Sequence, residues 1–594
     1  MTFGDKNFLD KKVLALAAAG ILLTWVLCTA VLIGIGSLIL GRCRDGCRLL
    51  DEFWMGLALA VAFLEVWSLL RPVTPGAALL LAAVGVLGLA WNRGKIVGQL
   101  KNVLRGAGWP VVVYIFIAGY IALRSCGPCD YYDTGLYGAQ SVHWIVTYPA
   151  ILGLANLHWR LGINSSVFLC DAAMRQGAWP SLYFHFFTGL MLAALWAAIF
   201  PSVIRLVRRA PVSAADYFQA LLVIPASSWA VRSKIVGTLT DEPASVVCLC
   251  AAGILFSELS REEGENRGEH DGRARLIVAA SLAALGVTFK LSTIVFAGLA
   301  WAVAFVWLFS SSRRSPRRGV WISASLVLPA AILIPWLIRG LMLSGYPFFP
   351  NAMLGIPVDW RVPAALAKLF TEWVHSFAVG QAYELAPAGK IAALGRFGEA
   401  ARWFLGLARN REGFQVPFLL SVAGAAAFLV CGLRPGHVRR NRSLWLLLPS
   451  LGGIAFWFAE APDPRFGQAA IWTLAATLGS LGIVASAARL KWVSARLVAA
   501  GLLLAMLWCL FSFGWRQSYR PLESVRELVP LPEVRVVARR TASGLIVYVP
   551  AEGNQCWDAP LPCTPYFDNT LRLRSPGNLG GGFDSEGFPE LPEN

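Results

Sequence analysis

Charge is what this sequence has least of. Only 15% of its 594 residues are Asp, Glu, Lys or Arg, whereas 57% are hydrophobic and the mean hydropathy is +0.59. So few charges cannot cover a soluble surface, which excludes a soluble globular protein and leaves a polytopic membrane protein. No cleavable leader is expected, because the first apolar run, 13–40, is too long and has no small-residue cleavage site before a soluble domain. Acidic residues are scarcer than basic ones, 35 against 52, for a net charge of +17. That excess does not form a surface for nucleic acid. The basic residues lie in seven short clusters between apolar runs, such as Arg42, Arg44 and Arg48, or Arg313, Arg314, Arg317 and Arg318. Lys and Arg are retained on the cytoplasmic side, so the excess reports topology and no nucleic-acid partner is expected.

What is present in quantity is the apolar run. Stretches such as 109–123, 321–338 and 497–513 are long enough, or nearly so, to cross a hydrocarbon core of roughly 30 Å as helices. Placing the seven basic clusters on one side predicts an all-α fold of about fourteen transmembrane helices with both termini outside. The expected division is N-terminal helices over 1–108, a transmembrane core over 109–514, and an external tail over 515–594 whose Gly-rich end is read as disordered. The core carries external loops at 125–179 and 340–413. Within the first loop Leu136, Ala139, Val142 and Ile145 recur at helical spacing, as in a helix lying on the membrane surface. The charged segment 262–275 reads as a cytoplasmic connector.

Because acids are few, those that gather stand out. Asp130 and Asp133 lie in an aromatic stretch, Cys129-Asp-Tyr-Tyr-Asp-Thr-Gly-Leu-Tyr137, after one apolar run; Asp241 and Glu242 open another helix on the same face. Lys290, Arg339, Asp463 and Arg465 fall at helix ends on that face too, with His158 and Arg160 in the first loop. Carboxylates and cations converging at a membrane surface suit a substrate that is itself a lipid-anchored anion, with Lys and Arg on its phosphate and an Asp as base or metal ligand. A transporter places such charges near the midplane at broken helices. Of twelve cysteines, Cys126, Cys129, Cys556 and Cys563 fall on the outer face. A zinc site or disulfides fit that spacing, and the sequence does not fix a pairing.

The order of these features resembles the GT-C superfamily of membrane glycosyltransferases, in the branch of protein mannosyltransferase-like and aminoarabinose transferase-like enzymes. Asp133-Thr-Gly-Leu-Tyr137 is similar to the branch's Asp-Glu-x-x-Tyr, Thr240-Asp-Glu-Pro243 to its Thr-Asp-x-Pro, Thr288-Phe-Lys290 to a Thr-Lys hairpin, and Arg465-Phe466 to a late Arg-aromatic turn. Pro-Asp-Pro-Arg-Phe, Asp-Trp-Arg-Val-Pro and Gln-Cys-Trp-Asp-Ala-Pro-Leu-Pro-Cys are similar to a poorly characterised bacterial family of multipass membrane proteins, from about 124 to 566.

The resemblance implies a GT-C-like core and a bacterial inner-membrane enzyme active on the periplasmic face. It would transfer a sugar from a polyprenyl-phosphate donor to a glycan, lipid or protein acceptor. Asp133 is then the catalytic acid-base residue. Tyr137, His158, Arg160, Lys290, Arg339 and Arg465 would bind substrate, and Asp241 with Glu242 would hold a divalent metal. The chain departs from the pattern at Thr134, where a second carboxylate is expected. The competing readings are a transporter or flippase for a lipid-linked precursor, and an O-antigen polymerase- or ligase-like protein.

Overall fold

The computed structural model describes residues 3–41, 48–208, 210–231, 235–261, 269–313, 315–384, 404–407, 410–432, 441–490, 494–517, 528–587 and 590. Arg42, Arg44, Arg314 and the connector over 262–268 lie outside the described residues. Among those described, ten helices are long and apolar enough to cross a membrane. They become eleven if Pro75–Trp91 and Arg93–Arg105, bent by 80°, form one span. Trp109–Arg124 and Ala495–Trp508 are shorter apolar helices. The chain is thus a multipass membrane protein, but not every expected crossing is of spanning length. The run at 217–231 is broken at Leu222 into Ala214–Leu221 and Val223–Val231. Pro225 has no N–H to bond back to Leu221, so the ladder stops there.

Three helices form the middle of the bundle. Most of the spanning portion of Asp241–Leu259 and of Gly272–Phe289 is buried, 89% in each, and of Pro464–Arg489, 72%; only 17% of Leu14–Leu40 and of Gly413–Gly432 is, as for helices facing lipid. Each central helix is polar at both ends. Helix Asp241–Leu259 starts at Asp241 and reaches Glu258, about 25 Å away at 1.5 Å per residue. Glu258 pairs there with Arg261 at 2.6 Å and with Arg275, which also faces Asp51 at 3.7 Å. Lys290 follows the far end of Glu269–Phe289, and Arg465 opens Pro464–Arg489, which ends at Arg489. Asp241, Lys290 and Arg465 therefore share one end of the bundle, and the basic helix ends lie at the other.

Close approach at the edge is set by small residues. A Cβ on Gly88 would lie 2.0 Å from the Gly34 carbonyl oxygen, so Phe3–Leu40 and Pro75–Trp91 touch backbone to backbone.

On the Asp241 end the first loop is folded into Ala139–Thr147, Leu154–Leu157 and Val167–Arg175. Its apolar face, expected to rest on a membrane surface, is covered by protein. Leu136, Ala139, Val142 and Ile145 are all buried. Their cover includes the tail, which is folded too: β1 (Val536–Arg540) pairs antiparallel with β2 (Ile546–Pro550), and β3 (Arg572–Leu573) with β4 (Phe583–Asp584). The Gly-rich segment read as disordered forms the β3–β4 turn, where Asn578 accepts the Gly580 N–H at 3.0 Å and the Phe583 N–H donates to Leu152 at 2.9 Å. Cys556 and Cys563 are disulfide-bonded, whereas Cys126 and Cys129 are free, buried thiols.

Candidate active site

Asp133 sits immediately before a single π-helical turn, Thr134–Gly138, that runs into Ala139–Thr147. Its carboxylate is held from three sides. The Tyr131 hydroxyl donates to Oδ2 at 3.3 Å, Arg160 Nη1 lies 3.6 Å from Oδ1, and Arg465 Nη1 lies 4.0 Å from Oδ2. Arg465 is fixed by its own helix start: Asp463 caps the helix by accepting the Arg465 N–H at 3.0 Å, and its other oxygen pairs with Nε at 3.1 Å. Thr134 is fully buried and points away from the carboxylate's partners, accepting the Thr238 N–H at 3.0 Å. The position where a second acid is expected thus ties two loops together.

Lys290 occupies the break between Glu269–Phe289 and Leu291–Thr293, in extended conformation. It forms an ion pair with Asp241. Its ammonium lies 4.1 Å from the centre of the Phe466 ring, and the Arg465 guanidinium lies 4.6 Å from the same ring. One aromatic ring therefore gathers two basic side chains beside Asp133. Arg160 is walled by Trp159 at 4.8 Å, Trp373 at 4.7 Å and Tyr137 at 5.8 Å. Burial, then the charge of Asp133, pushes the Tyr137 hydroxyl up, so it stays protonated and able to donate. Burial, then Arg160, holds His158 well below the ordinary imidazole value, so it is neutral. Its ring lies 4.9 Å from Tyr566 of the tail.

The structure thus brings Asp133, Tyr137, Arg160, Lys290, Asp241 and Arg465 together, with His158 next to Arg160. Arg339 belongs elsewhere. It bonds the Asn164 side chain at 2.5 Å in a buried cluster with Glu65, which accepts from Ser166 at 2.5 Å. Sequence reasoning gave no part to Tyr131, whose hydroxyl is aimed by the turn before Asp133, or to Trp373 and Phe377, spaced to stack on Arg160 and Arg465 from one helix. It also missed the tail loop that crosses Tyr132 and Gly135, whose signal in the sequence was the two cysteines.

A divalent metal does not fit the donor set. Asp241 is engaged by Lys290, and among the described residues no three His, Cys, Asp or Glu side chains come together as ligands. A cation beside Lys290 would face its ammonium.

A family model described as "Domain of unknown function (DUF8201)" matches residues 19–472, and the chain belongs to that family. No curated protein matches it. Among solved structures it is similar to the Archaeoglobus fulgidus oligosaccharyltransferase in complex with zinc and sulfate, with 14% identity and a TM-score of 0.35 over 71% of this chain and 57% of that one. It is also similar to the archaeal oligosaccharyltransferase AglB from Archaeoglobus fulgidus in complex with an inhibitory peptide and a dolichol-phosphate, with 11% identity and a TM-score of 0.32 over 72% and 60%. The chain spans under two thirds of either.

Proposed function

We propose that this DUF8201 chain is a membrane glycosyltransferase that moves a sugar from a polyprenyl-phosphate donor to a glycan, lipid or protein acceptor on the non-cytoplasmic face. One observation carries the reading: the Asp133 carboxylate lies 3.6 Å from Arg160 and 4.0 Å from Arg465, and Lys290 shares the Phe466 ring with Arg465. A base flanked by cations is what displacement at a sugar phosphate requires. Asp133 takes the proton from the acceptor nucleophile, which attacks the anomeric carbon. The bond from that carbon to the phosphate oxygen breaks, and its electron pair stays on the phosphate. Charge grows on that oxygen in the transition state, and Lys290 and Arg465 oppose it there.

Tyr131 and Arg160 aim the carboxylate, and Asp241 holds the Lys290 ammonium. No step runs through a metal. The concentration of basic residues at the other end of the central helices supports the non-cytoplasmic face for the site. The test is purified protein in liposomes with polyprenyl-phosphate sugars radiolabelled in the sugar. Release of polyprenyl phosphate with label appearing on an acceptor is expected. Saturable movement of intact donor across the bilayer without cleavage would instead identify a flippase and overturn the proposal.

A further inference from the structure

We infer that the disulfide-closed loop Cys556–Cys563 is a clamp that positions Asp133, which makes the site sensitive to thiol reductants. The catalytic consequence rests on the proposed function; the clamp itself does not. The loop and the residues before it bond the backbone on both sides of Asp133. On one side Gln555 Nε2 donates to the Tyr132 carbonyl at 2.9 Å, and the Tyr132 hydroxyl bonds Asn554. On the other the Trp557 N–H donates to the Gly135 carbonyl at 2.8 Å. Gln140, one turn further on, donates to the Trp557 and Ala559 carbonyls at 3.1 and 2.9 Å. Asp133 is thus bracketed by a chain segment more than 400 residues away.

The contact is closely fitted and anchored. A Cβ on Gly135 would lie 2.6 Å from Gln555 Nε2 and 2.7 Å from the Trp557 ring, so the loop seats only on glycine. Asp558 fixes the loop from outside, accepting two bonds from Arg175 at 3.1 and 3.0 Å and lying 3.0 Å from His143 Nδ1. Trp557 itself has φ +45°, which a bulky side chain rarely adopts and keeps only where its surroundings hold it. The disulfide closes the chain around Trp557 and Asp558, and both half-cystines are fully buried. The loop reaches Asp133 through Tyr132, Gly135 and Gln140, so its residues position the base and do not act on substrate.

Reduction by a dithiol delivers two electrons and two protons, leaving two cysteine thiols and the dithiol oxidised to its own disulfide. The 556–563 segment then loses the closure that holds Trp557 in place. The experiment compares the full chain in nanodiscs before and after dithiothreitol, with the double variant C556S/C563S. Hydrogen exchange over residues 131–140 is followed by mass spectrometry beside transfer kinetics. Exchange in that segment is expected to accelerate about tenfold or more, as for a segment released from its tertiary bonds. kcat is expected to fall about 100-fold with donor KM within about twofold, the mark of a displaced base. Gly135→Ala keeps the disulfide and is expected to reproduce both effects, which covers a double variant that fails to fold.

Unchanged exchange over 131–140 after reduction, with the thiols confirmed by alkylation, overturns the inference. So does accelerated exchange with unaltered kcat. If exchange accelerates but the oxidised protein transfers no sugar, the clamp stands and the proposed function falls.

Discussion

Replacing Asp133 by Asn is the most direct perturbation of the proposed chemistry, because it removes a charge and a base while keeping shape. The amide oxygen still accepts from Tyr131, now 3.3 Å from the carboxylate, so the local turn has no reason to rearrange. What is lost is the proton acceptor and the attraction to Arg160 and Arg465. At about 4 Å and an effective dielectric near 20, each pair is worth roughly 4 kcal/mol before desolvation. Most of that does not appear as stability. Arg160 keeps its ring contacts with Trp159 and Trp373, Arg465 keeps Asp463, and solvent reaches part of the site. The net cost to folding is on the order of 1 kcal/mol. Loss of a general base costs about 10²–10⁴ in rate, or roughly 3–5 kcal/mol of barrier at 1.36 kcal/mol per decade. The two effects separate cleanly. In nanodiscs, D133N should unfold within a few degrees of the parent while release of polyprenyl phosphate from a radiolabelled donor falls by that factor. A variant that turns over within about threefold of the parent, with kcat and KM both held, would refute the role of Asp133.

Three further outcomes follow from other parts of the same geometry. Lys290→Met leaves a stem of similar length against Phe466 but no cation for the departing phosphate, so kcat should fall about 10²–10³-fold, read by single-turnover kinetics; loss confined to KM would reassign Lys290 to ground-state binding. Burial raises the Asp558 carboxyl, but bonds from His143 and Arg175 outweigh it and hold the group below the ordinary carboxylate range. A folded-state value below the unfolded one contributes stability above the unfolded value and loses it as pH falls through the folded one. Tail docking should therefore hold between about pH 5 and 7 and weaken below about pH 4; exchange over 131–140, corrected for intrinsic rates, checks it, and loosening already at pH 6 would contradict it. Thr134→Val strands the buried Thr238 N–H and should cost about 1–3 kcal/mol of unfolding free energy, whereas Thr134→Ser should not; equal stability of the two variants would dismiss that bond.

Much of the site was legible because its charges sit where a membrane helix must end. Asp241, Lys290 and Arg465 each interrupt or open an apolar run, and charge patterning alone puts them on one face. Arg339 shows the limit of that rule. Read as a helix end, it falls inside Arg318–Ser344, which continues five residues beyond it, about 7.5 Å further along the axis. It is buried with Glu65 and Asn164 instead. The folded tail was illegible for a different reason. On the body side it is received at the main-chain carbonyls of Gly135, Leu152 and Tyr132, which every residue type supplies and no composition reveals.

Thr134 joins these two lessons. By pattern it is a missing acid. By packing it is a hydroxyl at a fully buried position, where it accepts the Thr238 N–H, and a Cβ on Gly138 one turn later would lie 1.9 Å from the Thr238 hydroxyl. A carboxylate there would have to leave water at a fully buried position, at a cost of several kcal/mol. The contact that fixes the Asp133 turn against 237–238 is therefore incompatible with a second acid at that position. With Asp241 paired to Lys290 and Asp463 to Arg465, the proposed chemistry rests on Asp133 as its base. In that arrangement, fixing the direction of the Asp133 carboxylate matters more than adding charge to it. Tyr131, the Thr134–Thr238 bond and the tail loop all act on that same short turn.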